Sequence, residues 1–170
     1  MAERSLLDRM RGAAFLEIAT YEEVEHDESL TKQAAMVVAI VAIARGIGGL
    51  NEGTQGIFLG VLSALLGWLV WSGITYLIGD KLLGGTATWG ELLRTLGYAH
   101  SPGVLLVLGF IPLFGWLIGL IVPIWMLVTG IVAIRQALDF STGKAVLTAG
   151  LGWLVAIAVP VMAFGIFGIL

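Results

Sequence analysis

Glu22, Glu23, Glu25 and His26 fall within Tyr21–Glu28, the densest run of ionisable residues in the chain. Glu23 and His26 have the Glu-x-x-His spacing, which puts both on one helical face, as in carboxylate-bridged metal sites. A complete site of that kind takes two such motifs and further carboxylates, so a single chain supplies half and a symmetric dimer would supply the rest. The competing reading is a solvated acidic face that pairs with Arg9, Arg11 or Lys32. Metal analysis of the purified chain against His26→Ala separates the two.

The remaining polar groups that could do chemistry are scattered. Arg45 sits inside an apolar run, and a charge within a membrane segment is a functional candidate by default. It can equally snorkel to the interface or pair with Glu52 in the loop that follows. Arg135 and Asp139 are four apart, a spacing that allows pairing along one helix. Tyr98 and His100 precede a Ser-Pro step. His100 is of the residue type that titrates near neutral pH, yet Ser101 has no acid and base set beyond it, so hydrolase chemistry is not supported. Ser141-Thr-Gly-Lys144 resembles a phosphate loop but fails the pattern, with Leu138 where a glycine is required and Ala145 after the lysine. The chain has no cysteine, which removes disulfides, thiolate metal sites and cysteine catalysis together. No carboxylate falls at the middle of an apolar run, which argues against a carboxylate proton relay. The expectation is a protein without enzymatic activity and without a cofactor.

What must position these residues is a lipid-embedded scaffold. Of the 170 residues, 58% are hydrophobic and 12% charged, about half the charged share of ordinary globular domains. The 24 glycines agree, since glycine is more frequent in transmembrane helices than in soluble ones. A net charge of −3 without a basic patch excludes nucleic acid as a partner. The N-terminal arginines Arg4, Arg9 and Arg11 are followed by acidic residues rather than an apolar stretch, so no secretory signal is expected.

Leu7, Met10, Ala14 and Ile18 recur at helical spacing and predict an amphipathic helix over 4–19. Thr20 and Glu23 form a capping-box pattern that predicts a short acidic helix ending near Glu28. The first apolar span covers about 31–50 and the second about 55–79. Glu91–Pro112 begins amphipathic, with Thr88 and Glu91 as a capping box, then passes Ser101-Pro102 and becomes continuously apolar. Ser101 as cap and Pro102 at the first position predict a second helix start, and hence a broken third span over about 89–111. No Asp, Glu, Lys or Arg occurs between Thr95 and Ile134. A run of that length would stretch roughly 60 Å as one helix, twice the hydrocarbon thickness. The chain therefore reverses near Ile111-Pro112-Leu113, giving spans over about 113–138 and 143–169. The expected fold is all-α: a polytopic membrane bundle of five transmembrane helices (residues 29–170) preceded by cytoplasmic or interfacial helices over 1–28.

With the N-terminus in the cytoplasm, every basic residue but Arg45 lies near an inner helix end, a strong positive-inside signal that puts the C-terminus outside. Trp89 and Trp116 fall at interfaces; Trp68, Trp71, Trp125 and Trp153 are expected to pack between helices. Helices in lipid associate through small residues. Gly56, Gly60 and Ala64, with Ser63 and Gly67 beside them, form one ladder; Gly115 with Gly119 and Gly152 with Ala156 form others. They serve contacts within the bundle, contacts in a homo-oligomer, or bends.

The order of these features resembles the Yip1 (Yip1/YIPF) membrane-protein family. The resemblance rests on Glu91-Leu-Leu-Arg-Thr-Leu-Gly-Tyr-Ala-His-Ser-Pro102, Ile111-Pro-Leu-Phe-Gly115, Trp125, Ala133-Ile-Arg-Gln-Ala137 and Ser141-Thr-Gly-Lys-Ala145, and covers about residues 29–170. It implies a bacterial or archaeal member in the plasma (inner) membrane, with five spans, a cytoplasmic N-terminus and no catalytic residues. Eukaryotic relatives are associated with Rab GTPases and vesicle traffic, a role that the short N-terminal segment here does not carry over. The interfacial helices, the acidic N-terminal segment and the lack of catalytic groups point to a non-enzymatic membrane protein that organises membrane or binds an unidentified protein partner through its cytoplasmic face. The alternative is an oligomeric small-solute or ion channel or transporter that uses Arg45, Ser63, Ser72, Thr75, Tyr76 and the broken helix.

Overall fold

A computed structural model describes residues 4–49 and 57–167, with side chains described through Val155. Glu52 and Gly56 lie outside the described residues, as does the side chain of Ala156. Every element among the described residues is helical: α1 Leu6–Ala14, α2 Ile18–His26, α3 Thr31–Gly48, α4 Ile57–Tyr76, α5 Trp89–Ala99, α6 Phe114–Ala137 and α7 Thr142–Phe167. A 3-10 turn, Glu28–Leu30, leads into α3, and a π-helical turn, Leu77–Leu82, extends α4. A 3-10 stretch, Ser101–Phe110, continues α5.

The helix expected over 4–19 is two helices, because the chain turns at Phe15–Glu17. The turn is a Schellman motif: Leu16 N–H reaches the Ala13 carbonyl at 3.1 Å and Glu17 N–H the Gly12 carbonyl at 2.9 Å. Leu16, at φ 62°, occupies the left-handed position that glycine usually takes. The capping box therefore sits elsewhere. Ser5 and Asp8 cap α1, while Thr20 lies buried inside α2 and donates its hydroxyl to Glu17 at 2.7 Å. α6 closes the same way, with Asp139 at φ 53° and Phe140 N–H on the Arg135 carbonyl at 2.9 Å.

α5 is the organising element. Its capping box is present as expected, with Glu91 N–H on the Thr88 hydroxyl at 3.3 Å and Thr88 N–H on the Glu91 carboxylate at 2.9 Å. Every residue from Leu92 to Ala99 is buried, and α5 packs against α1, α2, α3, α4 and α6. The helix stops at His100. The 3-10 stretch begins one residue earlier than expected: Ser101 is its first residue and Pro102 its second, and Ser101 is not its cap, since its hydroxyl donates back to the Tyr98 carbonyl at 2.6 Å. The reversal falls at Leu113, φ 69°, directly before α6.

Among the described residues three helices are long and apolar enough to cross a membrane: Glu28–Gly48, Ile57–Leu82 and Phe114–Ala137. Their outward faces carry large apolar side chains such as Phe58, Leu66, Leu120 and Ile124, the surface that lipid covers. Trp68 is buried and its indole donates to the Leu93 carbonyl at 3.0 Å, tying α4 to α5. Trp153, expected between helices, is 64% exposed on the outside of α7.

The glycine ladders divide. A Cβ on Gly60, Gly67 or Gly119 would meet nothing within 4 Å, so these positions make no close helix contact among the described residues. Gly115, by contrast, lies against the backbone of Gly109, and Gly109 against that of Gly48. This seam lets α3, the 3-10 stretch and α6 touch backbone to backbone, as small residues do in lipid. Gly152 packs against Trp71.

Candidate functional site

The first two helices are built into the bundle by side chains that reach backbone carbonyls. Tyr21, fully buried, donates its hydroxyl to the Ala13 carbonyl at 2.9 Å and is shared with the Thr129 carbonyl at 3.4 Å; burial pushes its ionisation upward. Trp125 donates to the Ala14 carbonyl at 2.7 Å and meets Phe15 edge to face, ring centres 6.0 Å apart. Arg94, only 5% exposed, donates to the Val24 carbonyl at 2.8 Å and also to the Glu25 carbonyl. These are the last carbonyls of α2, where a cation satisfies free acceptors and the negative end of the helix dipole together. Glu91 stands three residues before Arg94, but its carboxylate is committed to the α5 cap, which leaves the arginine for α2.

A second network joins α1, α2, α3 and α5. Arg9, 6% exposed, binds Glu23 at 2.8 Å and donates to Gln33 at 3.3 Å. Arg4 bridges Glu23 at 3.3 Å and Glu17 at 2.7 Å. Tyr98 donates its hydroxyl to the same Gln33 oxygen at 2.9 Å. Of the basic residues weighed as partners for the acidic run, Arg9 is the one that pairs with it. Gln33 and Arg94 were not singled out from the sequence. Each is a polar residue within an apolar helical run, and that is the signal that marks them.

The structure brings together Glu22, Glu25 and His26, whose possible ligand atoms lie within 4.8 Å of one another. Glu23 is turned away to the arginines, so the Glu-x-x-His pair does not converge. His26 Nδ1 lies 2.8 Å from the Glu22 carbonyl, and Gln136 donates to the Glu22 carboxylate at 2.6 Å. Burial raises Glu25 to about 7, reinforced by the charge of Glu22. The backbone bond to Glu22 and the charge of Glu25 raise His26.

Arg135 and Asp139 do not pair. The chain leaves helical geometry at Asp139, whose carboxylate instead accepts from the Thr86 hydroxyl at 2.8 Å, while Arg135 donates to Gln136 at 3.0 Å. His100 has Nδ1 2.7 Å from the Leu96 carbonyl. Arg45 is exposed at the far end of α3, with no carboxylate in ion-pairing range among the described residues.

A helical bundle with long apolar faces, sealed at one end by a buried polar network, is a multi-pass membrane protein. More narrowly, the chain belongs to the Yip1 family: the Yip1 domain model matches residues 18–164. No curated protein and no solved structure matches it.

Proposed function

We propose that this protein is a non-enzymatic membrane organiser of the prokaryotic plasma membrane that docks a protein partner on its cytoplasmic face. The observation that carries the reading is that α1, α2 and the turn after them form a fixed platform, held by Arg94, Arg9, Tyr21 and Trp125, which presents Glu22, His26 and Glu28 outward with half-buried Glu25 between them. A platform of set shape and charge suits recognition. Five spans complete the topology, with the N-terminus inside and the C-terminus outside, in keeping with the positive-inside bias. α5 and its 3-10 continuation together reach about 36 Å, enough for one broken crossing. The 26 residues of α7 supply the last.

Deleting residues 1–28 would strip Tyr21 and Val24 from the core, so a surface variant is the cleaner test. Glu22→Lys with Glu28→Lys should lower partner recovery in cross-linking pull-downs from membranes without changing insertion; unchanged recovery refutes the reading. The convergence of Glu22, Glu25 and His26 favours a second role for the same face, a divalent cation held by two carboxylates and the free imidazole nitrogen. Metal analysis of protein purified without added metal would then show bound metal that His26→Ala loses.

A further inference from the structure

Opposite the platform, the bundle leaves space. A cavity of about 700 Å³ opens between α3, α4 and α6, lined among others by Val41, Arg45, Gly67, Trp71, Gly119 and His100. A second, of about 410 Å³, shares Trp71, His100, Pro123 and Met126 with it and continues to Trp153 on α7. His100 lines both, and the larger one, mainly apolar, runs from Arg45 past Trp71 to His100. It exists because the wall is short of side chains: a Cβ on Gly67 or Gly119 would meet nothing within 4 Å. A third hollow, of about 540 Å³, lies on the other side of Arg45 and is lined by Gly48, Gly109, Gly115 and Trp116. The arginine thus stands where an apolar crevice meets the end of the bundle.

Arg45 is exposed there, so its guanidinium is open to water or to an anion at the mouth of the crevice. Arg45 has neither an ion pair nor a hydrogen bond among the described residues, unlike Arg94 and Arg9, which are fully engaged. An apolar crevice with a cation at its mouth that meets no carboxylate among the described residues selects an amphiphile with a negative head. We infer that this space is a binding site for one anionic phospholipid, with its phosphate on Arg45 and one acyl chain running past Trp71 to His100. Basic pockets between transmembrane helices hold lipid headgroups by this chemistry. The site is remote from the platform, so it stands or falls independently of partner docking.

The test uses the full chain reconstituted in nanodiscs of equal phosphatidylglycerol and phosphatidylcholine, with retained lipids counted by native mass spectrometry. Wild type should retain phosphatidylglycerol over phosphatidylcholine by about fivefold, the contribution of one basic residue to anionic lipid. Arg45→Gln should bring the two lipids to parity, and Arg45→Lys should keep the preference. Gly119→Leu, which adds a side chain where there is room for it, should lower the lipid count with the fold intact by circular dichroism. Arg11→Gln, a change to an exposed residue of α1, should alter nothing. Equal retention of both lipids by wild type, or an undiminished preference in Arg45→Gln, overturns the assignment. So does a preference that emerges only in Glu52→Gln, because the arginine would then belong to Glu52.

Discussion

Arg94 and Arg45 are the same residue in the same bundle, and they sit in opposite worlds. Around Arg94 the helices are joined by long polar side chains that reach across to carbonyls: Arg94 to Val24 and Glu25, Trp125 to Ala14, Tyr21 to Ala13. Around Arg45 they are joined by missing side chains, with Gly48, Gly109 and Gly115 stacking backbone on backbone. The first device fills space completely and uses each polar group. The second brings three segments together along one line and leaves hollows on either side. One end of the molecule is therefore built for shape, and the other for admitting something.

Arginine-to-alanine at each position separates the two ends most sharply. At Arg94 the change removes charge-assisted bonds and orphans buried carbonyls, a loss of about 2–3 kcal/mol. Thermal unfolding in detergent should show a clear drop, and detachment of α2 should make the chain more sensitive to protease near Glu28. Arg94→Lys should recover only part, since a single ammonium cannot span both carbonyls as the guanidinium fork does. At Arg45 the same substitution should change stability by less than about 0.5 kcal/mol, as for exposed positions generally. Comparable losses at both sites would erase the distinction.

The glycine seam offers the next comparison. A Cβ on Gly48 would collide with the Leu106 carbonyl, a backbone atom that cannot rotate away, so Gly48→Ala should cost about 1–3 kcal/mol through overpacking. Gly67→Ala, facing open space, should be neutral or stabilise by up to about 1 kcal/mol through helix propensity. Unfolding midpoints measured side by side read the sign directly. A tolerated Gly48→Ala would mean that the seam is not close-packed.

Much of this architecture is visible in the amino-acid order. Apolar runs and the Thr88–Glu91 box specify α3 to α6, and the position of Leu113 was implied by the length of the uncharged run, because lipid thickness limits a helix. The turn at Leu16 was not visible. A Schellman motif is normally announced by glycine, and here a leucine accepts the left-handed backbone because the Gly12 and Ala13 carbonyls are both satisfied by it. Asp139 hides the end of α6 in the same way and so breaks a four-residue pairing with Arg135 that spacing alone suggests. The acidic run was legible as a cluster but not as an arrangement. Which of Glu22, Glu23 and Glu25 meets His26 depends on Arg4 and Arg9 arriving from another helix, and periodicity within α2 carries no information about them.

That arrangement makes the Arg94 end the pH-sensitive one. Glu25 moves from 4.5 to about 7 through burial first and Glu22 second; Glu91 and Asp139 push the same way and His26 opposes them. The folded chain thus holds a proton that the unfolded chain releases above 4.5. Its contribution is fully present below the unfolded value and is lost as pH rises to about 7. His26 adds with the same sign, since its folded value is raised from 6.5 and its contribution fades as pH climbs beyond. Unfolding midpoints in detergent should therefore fall between about pH 5 and pH 8, and Glu25→Gln, which keeps the shape and removes the titration, should flatten most of that fall. Arg45→Ala should leave the slope untouched, because no residue that shapes it lies at that end. An equally steep profile in Glu25→Gln would move the sensitivity away from α2 and with it the claim that the platform's carboxylates crowd one another.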